Sequence, residues 1–441
     1  MEKLSFVKLY HPWQHNPYSD PPLGLLSVAS EARKIENLEV ILLDQAHEKE
    51  ISESNYFGIS ATTLEFPEAL EQARRIKKAF PSAKIIVGGA HFDALPESDW
   101  GAQINDLPFD VICRGEGEAT IAEAINYLRE AKNEKKLITH NGPLIDLNTL
   151  DFPARDLLDK VRYFVPGVTF SERVHVDGNS TTIMDSRGCP FSCSFCASPL
   201  LHNRKLRFRS LDKTIAELEH LKNDYKVNSL RWQDDCVPLN LRKNSGLVDY
   251  LKSSNIYSRG SARTDQINPQ MLDLLWNAGF REIGFGIESA EQRVLDLLDK
   301  RTNIEKNKQA LRATRERGLK TRAFIMTGLP NETKDSAKIM IDFLEETKPD
   351  VVTLTSFIPL PGCDIYNNPE KYGIRIKTKD WSKYDIALKW DAGTEWAHEV
   401  STLTSAQMEA NRELLKQYIF NRGMSNVPIY NKPYIANVTE P

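Results

Sequence analysis

The feature that most constrains this chain is a loop with cysteines at positions 189, 193 and 196, a C-x3-C-x2-C spacing. The loop follows Thr181–Gly188, a pattern that predicts a buried strand ending in a glycine turn. Structural zinc usually takes four protein ligands, often as two C-x2-C pairs, and the nearest further candidate is His202, in a basic run. Three thiolates on one loop instead suit a [4Fe–4S] cube with one iron left without a protein ligand. That open iron can bind a chelating ligand and pass an electron to it.

Two alternatives remain open for these cysteines: a zinc knuckle completed by a distant residue, and a chance cluster. Cysteine is sparse here, with six in 441 residues, so chance poorly accounts for three at this spacing. With Phe195 before the last cysteine, the loop resembles the cluster loop of the radical S-adenosylmethionine (radical SAM) superfamily. The resemblance implies that Cys189, Cys193 and Cys196 hold the cluster. It also implies that S-adenosylmethionine (SAM) chelates the open iron and is cleaved to a 5′-deoxyadenosyl radical.

Length and charge limit the function classes. A chain of 441 residues allows two or three domains, and a net charge of −4 gives no electrostatic indication of nucleic-acid binding. No apolar run approaches the roughly 18 residues of a membrane span, and the first residues lack the pattern of a secretory signal. Few cysteines and an oxygen-sensitive cluster fit a reducing compartment. We therefore expect a cytoplasmic enzyme without nucleic-acid or membrane partners.

The first 130 residues alternate strand and helix patterns. Short apolar runs separated by amphipathic helices predict a parallel sheet in a doubly wound α/β fold. Ligands of such sheets bind at the carboxyl ends of the strands. Small residues stand at that predicted edge, and they are Ser60, Thr62, Gly88, Gly89 and Gly115. The glycines do not form a G-x-G-x-x-G fingerprint, so a dinucleotide site is disfavoured.

This half resembles the cobalamin-binding domain that is fused to many radical SAM enzymes. The matching pieces are Pro21–Leu26, Ile59–Thr62, Val87–His91 and Arg114–Glu118. The resemblance implies that Glu116 and the small edge residues contact cobalamin. Two departures leave this binding open. The Asp-x-His-x-x-Gly signature of a cobalt-ligating His is absent, and the short link 45–55 leaves little room for a helix. The domain either binds cobalamin without that His or is a vestigial scaffold.

The remaining chain is predicted as three segments. Residues 131–178 are expected to be a connector, residues 179–368 a partial (β/α)6 radical SAM barrel, and residues 369–441 a small extension covering the barrel mouth. Active residues of such barrels lie at the carboxyl ends of strands. The extension carries an aromatic-rich patch and an amphipathic helix over 405–418. The patch consists of Trp381, Tyr384, Trp390 and Trp396.

Several strand-end residues are expected to bind SAM by resemblance to the superfamily. Asp234 and Asp235 are candidates for its ammonium group, although a pair of surface turn aspartates is the alternative. Ser258 and Arg263 are candidates for its carboxylate or ribose, and an Arg fork suits a carboxylate. Glu288 is a candidate for the ribose hydroxyls. Phe195 and Gly328 complete the expected site, with Gly328 beside the adenine.

Two further cysteines follow barrel strands. Cys236 and Cys363 are candidates for a catalytic thiol that donates a hydrogen atom to a substrate radical, but buried free cysteines are more often packing residues. Cys113 is expected to be a core residue.

The preferred function is a cobalamin-dependent radical SAM methyltransferase acting on an unactivated centre of a small molecule. It would need a reductant such as flavodoxin or ferredoxin. The alternatives are a radical SAM enzyme with a vestigial cobalamin domain, catalysing isomerisation, epimerisation or another transfer, and a cluster-binding sensor without catalysis.

Overall fold

The first sheet contains six parallel strands in the order β2-β1-β3-β4-β5-β6. The computed structural model describes residues 1–10, 16–48, 50–98, 100, 104–130, 134–167, 174, 176, 178–384 and 395–424. Because strand order reverses at β1, the gap between β1 and β3 is the topological switch point, where ligands bind in such folds. The strands are β1 Glu2–Lys8, β2 Leu38–Asp44, β3 Tyr56–Ser60, β4 Lys84–Gly88, β5 Val111–Arg114 and β6 Lys136–Thr139.

Helices cover both faces of this sheet, because alternate strand residues point to opposite sides. Phe6 and Ile86 pack on one face with apolar side chains of the helices Leu23–Ala32 and Gly117–Arg129. Val7 and Val87 pack on the other face with the helix Phe66–Ala79. A short helix, Ala90–Ala94, follows β4. The doubly wound prediction is confirmed.

The sixth strand of this sheet is not predicted by any sequence pattern. Residues 136–139 lie in the predicted connector, yet β6 pairs in parallel with β5. Only Ile138 of its four residues is buried, so the strand carries almost no hydrophobic pattern. The short link between β2 and β3 behaves as predicted, since residues 45–48 and 50–55 form no helix.

A second sheet of six parallel strands follows chain order, β7-β10-β11-β12-β13-β14, which is the partial barrel that the sequence predicted. Between β7 and β10, β8 and β9 form a short antiparallel ribbon that flanks the cysteine loop. The strands are β7 Asn179–Ile183, β8 Ser186–Arg187, β9 Arg207–Phe208, β10 Val227–Trp232, β11 Tyr257–Ala262, β12 Phe280–Glu288, β13 Lys320–Thr327 and β14 Val351–Ser356.

Helices cover the outer face of the barrel, and several begin at polar caps. The side chain of Ser210 accepts a hydrogen bond from the Lys213 amide, and Asn268 and Asn303 cap two other helices. The barrel helices are Leu211–Tyr225, Val237–Lys243, Ser245–Ser254, Pro269–Asn277, Gln292–Leu297, Ile304–Glu316 and Ser336–Thr347. Short helices outside this layer are Lys160–Tyr163, Ser198–Leu201 and Asp364–Asn367.

The C-terminal segment contains a two-stranded ribbon, β15 Ile374–Ile376 with β16 His398–Val400, and the helix Ser405–Asn421. That helix packs beside the barrel helix Ser336–Thr347. Trp381 reaches the first domain, with its ring 5.2 Å from the buried ring of His91. Trp390, part of the predicted aromatic patch, lies outside the described residues. In the described part of the chain, no helix combines the length and apolar character needed to cross a bilayer.

Candidate active site

The three loop cysteines lie between β8 and the helix Ser198–Leu201, and each is partly exposed. The guanidinium of Arg263, directly after β11, lies 3.5 Å from the Cys193 sulfur. It also stacks 3.9 Å from the centre of the Phe191 ring. Backbone hydrogen bonds from Ser194 to Leu298 and from Ile365 to Ser194 tie the loop to the end of the helix Gln292–Leu297 and to the helix Asp364–Asn367. The loop is therefore held from three sides.

The donor set fits an iron–sulfur cube. The described residues contain no group of three His, Cys, Asp or Glu side chains gathered closely enough for a single ion, and a cube separates its ligand sulfurs more widely than one ion does. Burial raises the pKa of the Cys196 thiol to about 12. Cluster assembly must therefore displace protons from thiols, as metal binding to cysteine generally does.

The adjacent carboxylates Asp234 and Asp235 have different surroundings. Asp234 is buried and accepts hydrogen bonds from the amide and hydroxyl of Ser186, both at 2.6 Å, and from Asn240 at 2.7 Å. Burial raises the pKa of Asp234. Asp235 is exposed and accepts a hydrogen bond of 2.7 Å from Ser198. Asp234 thus ties β8 to β10, which corrects the expectation that it faces a ligand, and only Asp235 is placed to do so.

Ser258 does not lie with the other predicted residues. It stands near the amino-terminal end of β11 on the outward face, fully buried, and accepts a 3.0 Å hydrogen bond from Trp232. Arg263, by contrast, follows the carboxyl end of the same strand. Its guanidinium donates to Asp265 and to the carbonyl of Lys300. Ser258 therefore lies at the opposite end of the strand from the predicted site.

Glu288 ends β12 with a left-handed backbone, φ 63°. Such a conformation is unfavourable for a residue with a side chain, and strained residues cluster at functional sites. The Lys300 ammonium donates to the Glu288 carboxylate at 2.7 Å, and the pair is largely buried. The same ammonium lies 5.5 Å from the centre of the Phe195 ring. Lys300 therefore links Phe195 to Glu288, a role that no sequence pattern revealed.

Gly328 forms a turn with φ 80°, and the C-terminal segment holds it in place. A Cβ at this position would lie 2.3 Å from the Trp396 ring. The Gly328 amide donates to Glu332 at 2.8 Å, and its carbonyl lies 2.9 Å from the His398 ring nitrogen Nε2. Sequence reasoning named none of these contacts. Long-range pairs such as Gly328 with His398 leave no local signal.

A cavity of about 380 Å³ separates the first sheet from the cysteine loop. One wall is the carboxyl edge of the first sheet. The opposite wall consists of barrel residues, among them residues on either side of the cysteine loop. The cavity continues between the sheet and its helices as a slot lined by Phe6, Gly58, Ile86, Cys113 and Thr120. Its edge residues are Ser60, Gly88, Gly89, Gly115 and Glu116 from the first domain, with Gly188, Ser198, His202, Gln233 and Asp235 from the barrel.

The cavity fits a large, mostly apolar, flat ligand. Its wall at the sheet edge is backbone and small side chains, and the slot beyond is apolar. Gly89 has φ 101°, and a Cβ there would lie 2.7 Å from the Ser60 hydroxyl, so only glycine keeps this edge flat. Thr62 does not line the cavity. It is exposed, and its amide donates to Glu65 at 2.8 Å.

Glu116 contacts the barrel across the domain boundary. It accepts hydrogen bonds from Arg207 at 2.8 and 3.0 Å and from Arg187 at 3.1 Å. Arg187 also donates to Glu118 at 2.6 Å. Although burial opposes ionisation, these arginines hold the pKa of Glu116 below its ordinary value. Because Arg187 precedes the cysteine loop by two residues, this ion-pair network anchors that loop to the first domain.

Cys236 and Cys363 have the surroundings of packing residues. Both thiols are buried, and burial raises the pKa of each to about 11. The Cys363 sulfur accepts a hydrogen bond from the Tyr366 amide at 3.4 Å. Cys113 is buried, as expected, and forms part of the slot wall.

Comparisons with known proteins agree with both halves of this site. Residues 183–344 match the radical SAM superfamily, and residues 17–125 match the B12 binding domain. The first match spans the cysteine loop through β13, and the second spans the glycine-rich edge. Both resemblances drawn from the sequence are confirmed. A [4Fe–4S] cluster, SAM and cobalamin are the cofactors that these two matches imply.

Relatives extend the similarity over most of the chain. A protein of Pyrococcus horikoshii named an uncharacterized methyltransferase is 27% identical over 391 residues, which cover 82% of this chain and 81% of that protein. The anaerobic magnesium-protoporphyrin IX monomethyl ester cyclase of Rubrivivax gelatinosus is 24% identical over 363 residues. That match covers 78% of this chain and 63% of the cyclase.

A solved structure shares the whole fold. The radical S-adenosylmethionine methyltransferase TsrM of Kitasatospora setae, with tryptophan substrate and a SAM analog bound, matches with a TM-score of 0.67 at 17% identity. The match covers 97% of this chain and 91% of TsrM. At this identity the likeness concerns the arrangement of the two sheets and the C-terminal segment.

Proposed function

We propose that this chain, with its radical SAM and B12-binding segments, is a cobalamin-dependent methyltransferase. It would use a 5′-deoxyadenosyl radical on an unactivated centre of a small molecule. The observation that carries this proposal is the shared cavity. The residues that follow the cysteine loop and the glycine edge of the first sheet line one space of about 380 Å³. Group transfer between two cofactors needs such a common space.

The chain's own residues have defined tasks in this proposal. Cys189, Cys193 and Cys196 would hold the cluster, and Arg263 would hold the loop against β11. When bound, the cluster and SAM supply one-electron cleavage chemistry, and cobalamin supplies the methyl group. Asp235 is placed to orient a cationic group at the cavity wall, because its carboxylate is exposed there.

Glu288 is the second acidic residue with a task. Lys300 holds its carboxylate at the end of β12, where it can accept hydrogen bonds from a ligand. A reductant such as flavodoxin or ferredoxin belongs to the proposal, because the cluster must receive an electron for each cleavage.

The experiment uses anaerobically reconstituted protein refolded or expressed with hydroxocobalamin. We expect cobalamin to stay with the chain through gel filtration, near one per chain. With SAM and a strong reductant, a methyltransferase should form S-adenosylhomocysteine only when cobalamin is present, and 5′-deoxyadenosine whenever the cluster is intact. Protein that emerges without cobalamin and forms only 5′-deoxyadenosine would contradict methyl transfer.

A second candidate is a radical SAM enzyme whose first domain is a scaffold, catalysing isomerisation, epimerisation or another transfer. The specific observation in its favour is the reduced first domain, which has no helix in the described residues between β2 and β3. Retained 5′-deoxyadenosine formation by protein that never binds cobalamin would favour this candidate.

A further inference from the structure

The interior of the partial barrel is open. In closed (β/α)8 barrels, inward-facing side chains fill the interior. Here the outward-facing side chains of Leu230, Ile283 and Ile325 are buried under the helices. The side chains that alternate with outward residues on β11, β13 and β14 stay partly exposed. They are Ser261, Phe324, Met326, Thr353 and Thr355. The inner face therefore encloses accessible space rather than a packed core.

A layer of charged side chains lies on the inward faces of neighbouring strands. The Glu282 carboxylate of β12 forms ion pairs with Arg259 of β11 at 3.2 Å and with Arg322 of β13 at 2.9 Å. Arg231 of β10 pairs with Asp20, which precedes the first helix. Within the described part of this layer, three guanidinium groups thus face two carboxylates.

The positive charge of Arg259 is only partly compensated. Its Nε atom is buried and has no hydrogen-bond partner. Burial and the neighbouring Arg231 guanidinium lower the pKa of Arg259 to about 9. Arginine does not give up its proton in proteins, so the group stays charged, and a buried charge without full compensation is costly. The side chains of Arg231 and Arg259 are 37% and 15% exposed, so solutes reach this layer.

We propose that the Arg231–Arg259 layer binds an anionic group, a carboxylate or a phosphate, at the far end of an elongated substrate. Guanidinium groups suit both anions because their donors form a planar fork. Arg259 lies three residues before the end of β11, and its partner Glu282 lies six residues before the end of β12. At about 3.3 Å per residue, these two side chains start about 10 and 20 Å before the strand ends where radical chemistry takes place. The inference rests on the proposed function, because the anion is taken to belong to the methyl acceptor.

The test measures anion binding without turnover, by calorimetric titration of the cluster-loaded protein. The probes are inorganic phosphate and acetate at constant ionic strength set with chloride. We expect at least one of them to bind near one per chain in the wild type, and Arg259→Gln to weaken that binding at least tenfold. Arg231→Gln, at the more exposed position, should weaken it less. Arg317→Gln, on the outer surface beside Asp273, is the matched control and should change nothing.

A second measurement guards against a variant that merely folds poorly. If Arg259 carries uncompensated charge, Arg259→Gln should unfold at a higher denaturant concentration than the wild type in chloride alone. Equal phosphate and acetate binding by wild type, Arg259→Gln and Arg231→Gln would overturn the inference, as would no binding to the wild type. The outcome is separate from the proposed function: loss of methyl transfer with intact anion binding counts against methylation, and the reverse counts against this layer.

Discussion

The two six-stranded parallel sheets of this protein share their parallel pairing but differ at their carboxyl edges. The edge of the first sheet is glycine and small side chains, and it meets a cavity that narrows into an apolar slot. The edge of the barrel is a set of cysteines and charged groups tied by hydrogen bonds, such as Glu288 to Lys300. A sheet edge can therefore hold a ligand by shape or by specific polar contacts, and this chain has one edge of each kind.

The largest predicted effect comes from removing the three cysteines of the barrel edge. Replacing Cys189, Cys193 and Cys196 together by Ala should remove all iron and abolish SAM cleavage, because these three thiolates are the proposed ligands of the cluster. The first edge should be unaffected, so we expect cobalamin binding to persist. Iron analysis, 5′-deoxyadenosine formation and cobalamin retention measure the three outcomes. Residual SAM cleavage in this variant would contradict the whole assignment.

The converse variant places a large side chain at the glycine edge of the first sheet. Gly89→Trp should abolish cobalamin binding, because even a Cβ at this position meets the Ser60 hydroxyl at 2.7 Å. Iron per chain should remain at the wild-type value. Gly24→Ala, also at the cavity, is the control, since a Cβ there meets nothing within 4 Å. If Gly89→Trp kept its cobalamin, the ligand would not lie against this edge.

The contact between the two edges is tested by Arg187→Met. Removing this guanidinium leaves Glu116 and Glu118 with less compensation at a largely buried site, and breaking such a pair typically costs about 3–5 kcal/mol. We expect a loss of that order in the free energy of unfolding, measured with urea. The control Arg33→Met breaks an exposed pair with Asp156, which should cost about 0–1 kcal/mol. Equal losses in both variants would show that the network does not join the domains.

Asp234 and Asp235 provide a matched pair at the barrel edge. Asp235→Asn removes an exposed acceptor and should weaken SAM binding about 10- to 100-fold, as expected for a lost charged hydrogen bond of about 1.5–3 kcal/mol. Glu288→Gln should have a similar effect. Asp234→Asn should instead lower stability, since the amide nitrogen that replaces Oδ2 cannot accept the hydrogen bond from the Asp185 amide. SAM affinities are measured at equal iron content. If Asp234→Asn bound SAM more weakly than Asp235→Asn, this distinction would be refuted.

Each region also contains a buried neutral histidine, His91 beside the first edge and His398 beside Gly328. Burial lowers the pKa of each to about 4. The unfolded chain takes up protons near pH 6.5, so their stabilising contribution is complete above that pH and is lost as the pH falls toward 4. Between pH 6.5 and 5.5 each histidine should cost about 1 kcal/mol.

Urea unfolding of His91→Phe and wild type at both pH values isolates this term. Asp93 and Glu332 have pKa values raised to about 6 and 8 by burial. They act in the opposite sense, but equally in both proteins. If His91→Phe loses as much stability on acidification as the wild type does, His91 is not the group that titrates.

The sequence alone determined the element order and the chemistry of the two edges. Hydrophobic runs of β1 to β5 and of the barrel strands follow from side-chain burial, which is a local pattern. The cysteine spacing and the glycines also act locally, through ligand reach and backbone freedom. The sequence pattern does not predict the strand β6, because only Ile138 in it is buried. Its pairing with β5 therefore depends on the tertiary fold.

Only the tertiary structure decided what each strand-end side chain contacts. Asp234 and Asp235 are identical in sequence terms, yet successive residues point to opposite faces, one to the core and one to the cavity. Ser258 was predicted at the carboxyl end of its strand but lies near the amino end. Apolar patterns do not locate strand ends accurately. The pairs Glu116 with Arg207, Gly328 with His398 and Arg259 with Glu282 are 91, 70 and 23 residues apart along the chain. Contacts at such separations are set by packing, and a one-dimensional pattern carries no record of them.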